Sequence, residues 1–321
     1  MAFAVMNVVT TTPDLKSIAE AVGGQYVKAD SIGSGSEDPH FIQAKPSYMM
    51  LAHNADLWIC VGLDLEIGYE GLILEGSRNQ KIYFNQPGRL DASQGVIRLE
   101  VPTGKVDRSM GDIHPLGNPH YWLDPYNGRI VANNIRDRLH QLDPAHAAEF
   151  DANCAAFIKK IDEAMFGPAL VAAIGGDKLW ELELAGKLDD FLAAQKLTDK
   201  LGGWAAEIRP FRDDKIVTYH RSWSYFANRF GLDVAMELEP KPGVPPSPGH
   251  VVQVIQEMQK DKVKVILVEP FYELRAPEFV AAKTGAKVVV AANSVGGQEE
   301  AKDYISMIDN VVNRVVNALK E

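Results

Sequence analysis

Three histidines lie far apart in this chain, and each occupies a short polar segment rich in turn-forming residues. They are His40 in Ser-Glu-Asp-Pro-His, His120 in Gly-Asn-Pro-His-Tyr-Trp and His220 in Thr-Tyr-His-Arg-Ser. Neutral imidazole is the commonest protein ligand for zinc and related metals, and loops at strand ends bring distant residues together. The pattern predicts a metal site that forms on folding. The alternative is three unrelated histidines among the eight in the chain.

The composition is that of an acidic globular protein. The chain has 321 residues, of which 46% are hydrophobic and 24% charged, so it can bury a sizeable core and form two domains. A net charge of −10 argues against nucleic acid as a partner, because phosphate binding needs a basic surface. No apolar run reaches the length of about 18 residues that a membrane span needs.

The amino terminus and the two cysteines bear on where the protein works. Residues 1–9 pass directly into a strand-like pattern without a basic leader segment, which suggests either a cytosolic start or a chain lacking its signal peptide. Cys60 lies in an apolar run and Cys154 in a helix-like stretch. We interpret both as small buried side chains rather than as a disulfide.

Strand-like and helix-like segments alternate through both halves of the chain. The predicted strands are Asn7–Thr11, Gln25–Ile32, Leu57–Val61, Lys81–Phe84 and Val96–Val101, followed by Lys215–Thr218, Val234–Leu238, Val263–Val268 and Ala286–Ala291. This order is typical of parallel sheets covered by helices. It predicts an α/β fold of two lobes, each a small sandwich of a sheet between helices.

The middle of the chain is predicted to be helical. Asp143 and Pro144 are expected to begin a long helix that runs to Met165, and a broken helical pattern follows over 166–203. A last helix is predicted over Gln298–Leu319. The expected organisation is an N-terminal lobe at 1–142, a linking helix with a helical insertion at 143–203, and a C-terminal lobe at 204–321.

The candidate ligands occupy the positions where such folds bind their ligands. Open α/β sheets do so at the carboxyl ends of their strands. His40 and His220 follow predicted strands, as do Glu269 and Asn293, and His120 lies in a turn before a helix. The three histidines are therefore expected to face a cleft between the lobes.

Several motifs stand out along the chain: Val9–Leu15, Asp38–His40, Ala55–Leu57 leading to Gly62–Glu66, Gly117–Pro125, Thr218–His220 and Val268–Pro270. Together they resemble a known family, the metal-specific substrate-binding proteins of bacterial ABC transporters (cluster A-I, zinc and manganese). The resemblance covers nearly the whole chain. It implies two lobes joined by one long rigid helix around Asp143–Met165, with a metal between them. His40 and His120 would come from the first lobe and His220 from the second.

The resemblance also implies a function. The protein would be periplasmic or lipid-anchored on the outer face of the membrane, where a monomer captures a divalent metal and delivers it to a transporter permease. It would not be an enzyme. Three imidazoles with at most one carboxylate favour zinc as the cargo, with manganese or iron as the alternatives.

The fourth ligand departs from the family pattern. Many members place an aspartate in the loop after the last strand, where this chain has Asn293, and a neutral amide is a poor ligand for such a metal. Glu269 is the candidate replacement, either as a ligand or as a group that orients a ligand histidine. Water or chloride are further alternatives.

Five further histidines and two alternative functions also have to be considered. His114, with Asp107 and Asp112, is interpreted as a weak collecting site for metal or as a solvated side chain, and His53, His140, His146 and His250 receive no role. An open site of three histidines also describes a zinc-dependent hydrolase, although the chain has no His-Glu-x-x-His helix or nucleophile elbow. A surface adhesin that holds metal for stability shares the same fold.

Overall fold

Two four-stranded parallel sheets form the centre of the computed structural model, which describes residues 5–104, 111 and 114–321. The strands of the first sheet are β1 Met6–Thr10, β2 Val27–Ser31, β3 Leu57–Cys60 and β4 Arg89–Asp91. Those of the second are β5 Lys215–Thr218, β6 Asp233–Glu237, β7 Val265–Val268 and β8 Lys287–Val290. Their orders, β2-β1-β3-β4 and β6-β5-β7-β8, are equivalent. The predicted architecture of two parallel α/β lobes is therefore confirmed.

Helices cover both sheets and fill the region between them. In the first half they are α1 Pro13–Gly23, α2 Pro46–His53, α3 Glu70–Ser77, α4 Pro125–Leu142 and α5 Ala147–Phe166. The later helices are α6 Pro168–Ile174, α7 Gly176–Leu184, α8 Leu188–Gln195, α9 Gly203–Ile208, α10 Ser224–Phe230, α11 Pro248–Asp261, α12 Arg275–Thr284 and α13 Tyr304–Lys320. No helix in the described part of the chain combines the length and apolar character that crossing a bilayer requires. Cys60 and Cys154 are buried free thiols, as predicted.

The fourth strand of the first sheet was predicted wrongly. Residues 80–82 form a single 3-10 turn, and 96–101 contains no strand, whereas the three-residue β4 pairs with β3. Side chains of neighbouring helices accept hydrogen bonds from backbone amides of residues 96–101 instead. The amide of Ile97 donates to the Asn127 side chain, and that of Leu99 donates to the Tyr225 hydroxyl. Because these amides have side-chain partners, the segment needs no neighbouring strand.

The linking helix begins later than expected. Asp143 does not cap it; a 3-10 turn over Pro144–His146 comes first, and the Asp143 carboxylate pairs with the His146 Nδ1 atom at 2.6 Å. α5 then extends for 20 residues, which is about 30 Å of helix. One continuous apolar core contains residues of α5 and of both sheets. The long helix is therefore confirmed, and the predicted boundaries at 142 and 203 stay predictions.

The last helix also starts later than its apolar pattern suggested. Asp303 and Ser306 form a capping box at its first turn, so α13 begins at Tyr304 and not at Gln298. The Gln298 side chain bridges instead the Ala292 amide and the Val290 carbonyl, at 3.0 and 3.1 Å. Both contacts fix the loop that follows β8.

Close polar contacts join the two lobes beside this loop. Buried Asp14, in α1, accepts hydrogen bonds from the Ser294 hydroxyl and the Val295 amide at 2.6 and 2.9 Å. Gly35 lies so near the same loop that a Cβ atom would come within 2.2 Å of the Val295 carbonyl oxygen. The position therefore tolerates only glycine without a shift of one lobe.

Asp14 should make stability depend on pH. Burial raises its pKa from 3.8 to about 6, and the bonds from Ser294 and Val295 oppose this only in part. The folded state therefore binds this proton more tightly, so the group's contribution is greatest below about pH 4 and declines as the pH rises to about 6. We expect Asp14→Asn to remove about 3 kcal/mol of the change in unfolding free energy between pH 4 and pH 6.

The measurement is urea unfolding of the apoprotein at pH 4 and pH 7. From pH 4 to pH 7 the wild type should lose the stabilisation that Asp14 contributes. Asp14→Asn has no such loss, so the difference in unfolding free energy should shift in favour of the variant. Glu20→Gln, on an exposed position of the same helix, is the matched control and should track the wild type. An offset between Asp14→Asn and the wild type that is the same at both pH values would contradict the assignment.

Candidate metal centre

The carboxyl ends of the second sheet gather four polar side chains at one edge. His220 lies two residues after β5, Glu239 two residues after β6, Glu269 directly after β7 and Asn293 three residues after β8. All four are buried. Parallel strands deliver their following residues to the same edge of a sheet, which is why residues far apart in the chain become neighbours here.

Two local turns of the first lobe supply the other histidines. Asp38 caps a 3-10 turn over Pro39–Phe41, so His40 lies in the first turn of a rigid segment. His120 immediately precedes a second 3-10 turn, Tyr121–Leu123, which leads into α4. In both places proline fixes the backbone next to the histidine.

The three predicted histidines converge between the lobes. One ring nitrogen from each of His40, His120 and His220 lies within 4.8 Å of the other two, and this is the one such group of potential ligands among the described residues. The ring centroid of His40 lies 5.0 Å from that of His120 and 5.5 Å from that of His220. His120 and His220 are only 2% and 6% exposed. The cluster is thus preformed and largely withdrawn from solvent.

Each histidine is oriented through its Nδ1 atom. That atom lies 2.8 Å from Asp38 Oδ1 in His40, 2.9 Å from Asn118 Oδ1 in His120 and 2.7 Å from Glu239 Oε2 in His220. An acceptor at Nδ1 keeps the proton there and leaves the Nε2 lone pair free, as in metal-binding imidazoles.

Sequence reasoning missed these three partners. Asp38 and Asn118 each precede their histidine by two residues, in Asp-Pro-His and Asn-Pro-His, so this repeated spacing was a signal available in the sequence. Glu239 had no such signal, because it reaches His220 from the next strand along the chain.

The charges around the cluster favour a cation. Burial, together with the neighbouring histidines, holds the pKa of His120 well below its usual value. For His220, burial acts in the same direction but is outweighed by the Glu239 hydrogen bond and by the Glu269, Glu239 and Asp38 carboxylates, so its pKa is raised. The Asp38 and Glu239 carboxylates thus lie beside the imidazole nitrogen donors, which is a favourable environment for a divalent ion.

Glu269 and Asn293 each leave one buried oxygen without a partner. Glu269 accepts a hydrogen bond from the Ser222 hydroxyl through Oε1, while its Oε2 and the Oδ1 of Asn293 have no hydrogen-bond partner. Burial raises the pKa of Glu269 to about 7. Glu269 does not belong to the group of close ligand atoms, and its role as a fourth ligand stays a prediction.

His114 is not a solvated side chain. It is half-buried and lines a cavity of about 200 Å³ together with the three clustered histidines. Its Nε2 atom lies 3.2 Å from that of His40. Burial, with His40 and His220 nearby, lowers the pKa of His114 to about 4. Asp107 and Asp112, which were considered with it, lie outside the described residues.

The other residues considered from sequence lie around or away from the cleft. Trp122 packs against His120 and donates from its indole to the Asn293 carbonyl at 2.8 Å, and Arg221 lines the cavity. Three other histidines bond backbone carbonyls instead: His53 to Ser77, His140 to Ala147 and His250 to Glu237.

Two parallel α/β lobes with a long helix thus place three inward-facing imidazoles between them, an arrangement that could hold one divalent metal ion. The model of the family described as zinc-uptake complex component A, periplasmic (ZnuA), matches residues 8–165 and 192–318. The chain belongs to this family. The unmatched residues between these ranges include α6 and α7.

Individual relatives differ in the metal for which they are named. The high-affinity zinc uptake protein ZnuA of Brucella abortus is 26% identical over 202 residues, or 63% of this chain and 49% of the relative. The chain thus spans about half the length of that relative. The iron-binding protein YfeA of Yersinia pestis is 25% identical, with 96% and 85% covered. The manganese-transporter lipoprotein PsaA of Streptococcus pneumoniae is 24% identical, with 98% and 89% covered.

Solved structures show the same fold. A crystal structure of ZnuA superposes with a TM-score of 0.72 at 21% identity and covers 98% of this chain and 99% of that one. The manganese-bound periplasmic metal-binding protein of Candidatus Liberibacter asiaticus gives a TM-score of 0.71 at 20% identity, with the same coverage.

Proposed function

We propose that this protein captures a divalent transition metal, zinc by preference, outside the cytoplasm and delivers it to the permease of an ABC transporter. His40, His120 and His220 are the ligands. The observation that carries the proposal is the convergence of three ring nitrogens within 4.8 Å, while the Nδ1 atom of each ring has a hydrogen-bond partner. Such an arrangement presents three Nε2 lone pairs to one ion.

The donor set is the argument for zinc. The named relatives include proteins for zinc, iron and manganese, so kinship alone leaves the cargo open. Imidazole suits zinc, whereas manganese prefers carboxylate and other oxygen ligands. The nearest carboxylates of Asp38 and Glu239 are engaged with the histidine rings, which leaves nitrogen as the main donor.

The names of the relatives support a proposal for the partners and the location. We propose a periplasmic or lipid-anchored protein that works as a monomer, because a carrier moving between solution and a permease needs no second copy. The transported ion is its cargo, so binding must be reversible. The hydrogen bonds that orient the three histidines come from the protein itself, and the apoprotein should therefore be folded. An adhesin that needs metal for its stability would unfold when stripped.

The zinc-hydrolase alternative requires a base beside metal-bound water. Glu269 is the carboxylate best placed for such a role, but its Oε1 accepts the Ser222 hydroxyl. The family consists of transport components, and we propose that this chain is not an enzyme.

Metal reloading tests the function. Apoprotein is offered equal zinc, manganese and iron(II), and bound metal is read by native mass spectrometry with circular dichroism before and after stripping. We expect a folded apoprotein and one zinc per chain, released by a chelator. No bound metal, manganese in place of zinc, or loss of the fold on stripping would each contradict the proposal.

Glu239 should tune metal affinity without contacting the metal. Its carboxylate holds the Nδ1 proton of His220 and makes the opposite nitrogen a better donor. Loss of such a partner typically weakens metal binding about 10- to 100-fold. We expect Glu239→Gln to lower zinc affinity by roughly tenfold, because the amide still accepts the hydrogen bond but carries no charge.

Competition with a chromophoric zinc chelator measures this change. Glu237→Gln is the matched control. Glu237 is the last residue of β6, the strand that Glu239 follows, but its side chain pairs with Arg221 and not with a histidine. An equal affinity in Glu239→Gln and the wild type would show that His220 needs no charged partner.

A further inference from the structure

A fourth imidazole lies against the three-histidine cluster. His114 and His40 approach through their Nε2 atoms at 3.2 Å, and their ring centroids are 5.2 Å apart. His40 has His120 and His220 at similar centroid distances, so it is surrounded by three rings. The sequence suggested for His114 only a weak collecting site or a solvated side chain, and neither accounts for this contact.

Hydrogen bonds on the far side of each ring determine what faces the contact. The Nδ1 atom of His40 is 2.8 Å from Asp38 Oδ1, so His40 directs its Nε2 lone pair toward His114. The backbone of Leu63 and Asp64 can accept a hydrogen bond from the His114 ring. We assign that bond to its Nδ1, because its Nε2 faces His40. Both imidazoles then direct a lone pair into the same space.

The backbone that receives His114 has an unusual conformation. Gly62, Leu63 and Asp64 have positive φ values of 81°, 52° and 65°. Two successive non-glycine residues in this region are uncommon and cost free energy. The Glu66 carboxylate holds the turn by accepting the Val61 and Gly62 amides at 2.7 and 3.0 Å. A strained and firmly held turn thus presents its backbone to the His114 ring.

Two lone pairs facing each other at this distance repel unless a cation lies beside both. In a tetrahedral zinc site the Zn–N distance of about 2.0–2.1 Å places two nitrogens about 3.3–3.4 Å apart. The observed distance of 3.2 Å between the Nε2 atoms of His40 and His114 is close to that nitrogen–nitrogen distance. The pair therefore has the spacing of two ligands of one ion.

We propose that His114 supplies the fourth nitrogen ligand of the metal held by His40, His120 and His220. This inference rests on the proposed function and names a donor for the position where Asn293 replaces the expected aspartate. His114 lies outside the group of nitrogens within 4.8 Å, so its ring moves toward His120 and His220 when the ion binds. Gly111 and Gly117, with φ of 83° and 111°, flank the segment that carries it.

A site of four nitrogen donors has a consequence for selectivity. Imidazole suits zinc, copper, iron and nickel, whereas manganese prefers oxygen ligands. His114 would thus increase the preference for zinc over manganese. Glu269 would then not contact the metal, and its Oε1 would keep the hydrogen bond from the Ser222 hydroxyl.

The test uses the full chain as apoprotein, with cobalt(II) as a spectroscopic probe and zinc and manganese affinities measured in buffered free metal. In His114→Ala we expect zinc affinity to fall by roughly 10- to 100-fold through faster release, and the cobalt absorption bands to shift because a nitrogen ligand is lost. Manganese affinity should change less, so that the preference for zinc falls. His250→Ala, whose ring bonds the Glu237 carbonyl, is the matched control.

Each other outcome overturns the proposal. A slower association rate with unchanged release and spectrum would make His114 only a collecting residue. A spectral change in Glu269→Gln and none in His114→Ala would give the fourth position to the carboxylate. An unaffected His114→Ala beside a His120→Ala variant that has lost the metal would refute this inference alone. Absence of metal binding by the wild type would refute the proposed function itself.

Discussion

Replacement of His120 by alanine is expected to lower zinc affinity by roughly a hundredfold to a thousandfold. Structural zinc sites with four ligands bind with about 10–16 kcal/mol, so each ligand accounts for about 2.5–4 kcal/mol. His120 is buried, its Nδ1 atom is fixed by Asn118, and it has no exposed position to which it can turn. Its loss removes a ligand that no described neighbour can replace without rearrangement.

Isothermal titration of the apoprotein against a competing chelator measures this loss. His120→Gln accompanies the alanine variant, because it better preserves the volume of a buried side chain and should also bind weakly. Thermal melting of both apo variants shows whether they fold. His53→Ala, whose ring bonds the Ser77 carbonyl, serves as the control. Zinc affinity within a few-fold of the wild type in a folded His120 variant would refute the three-histidine site.

Arg229→Met is expected to destabilise the protein by about 3–5 kcal/mol. The guanidinium of Arg229, in α10 of the second lobe, makes two hydrogen bonds of 2.7 Å to the carboxylate of Asp124, which caps α4 in the first lobe. Both side chains are nearly completely buried. Removal of the cation leaves a carboxylate without its partner in a medium of low dielectric constant, which is far more costly than loss of a surface pair.

A double-mutant cycle tests the pair by chemical denaturation of the apoprotein. Arg229→Met with Asp124→Asn should recover part of the loss, because no unpaired charge then remains. Arg136→Met is the matched control, since Arg136 pairs with the exposed Asp137 and should cost less than about 1 kcal/mol. A cost for Arg229→Met as small as that of the control would show that water reaches the pair.

The same contacts bear on how the two lobes can move. Asp124 with Arg229, and Asp14 with Ser294 and Val295, join the lobes through buried polar groups. A wide opening would break these bonds and expose their partners, at a cost of several kcal/mol. We therefore expect the lobes to open only slightly, which agrees with the rigid connecting helix that the family resemblance implies. Movement on metal binding is then expected mainly in side chains at the cleft, such as the ring of His114.

Several elements could be predicted because their signals are local. The buried strands Leu57–Cys60 and Val265–Val268 appear as short apolar runs bounded by polar turns. Pro125 and Pro248 mark the starts of their helices, each after a capping side chain. The order of these elements was enough to predict parallel sheets, and with them the edge where His220 and Glu269 lie.

Other features depend on contacts between distant segments. Residues 96–101 look like a strand in sequence, but their amides bond side chains from α4 and α10. The three-residue β4 has no apolar pattern that distinguishes it from a turn. Whether such a segment forms a strand depends on the residues that pack against it, since tertiary packing overrides a weak local preference.

The sequence by itself determined the class of fold, the three histidines proposed as ligands and the chemistry of their imidazoles, because strand patterns, turn residues and side-chain types are local properties. Only the tertiary structure decided which groups orient those rings and which further side chain joins them. Glu239 reaches His220 from a different strand, and His114 reaches His40 across 74 positions of the chain. Hydrogen bonds and lone-pair directions are properties of pairs in space, and spacing along the chain does not encode them.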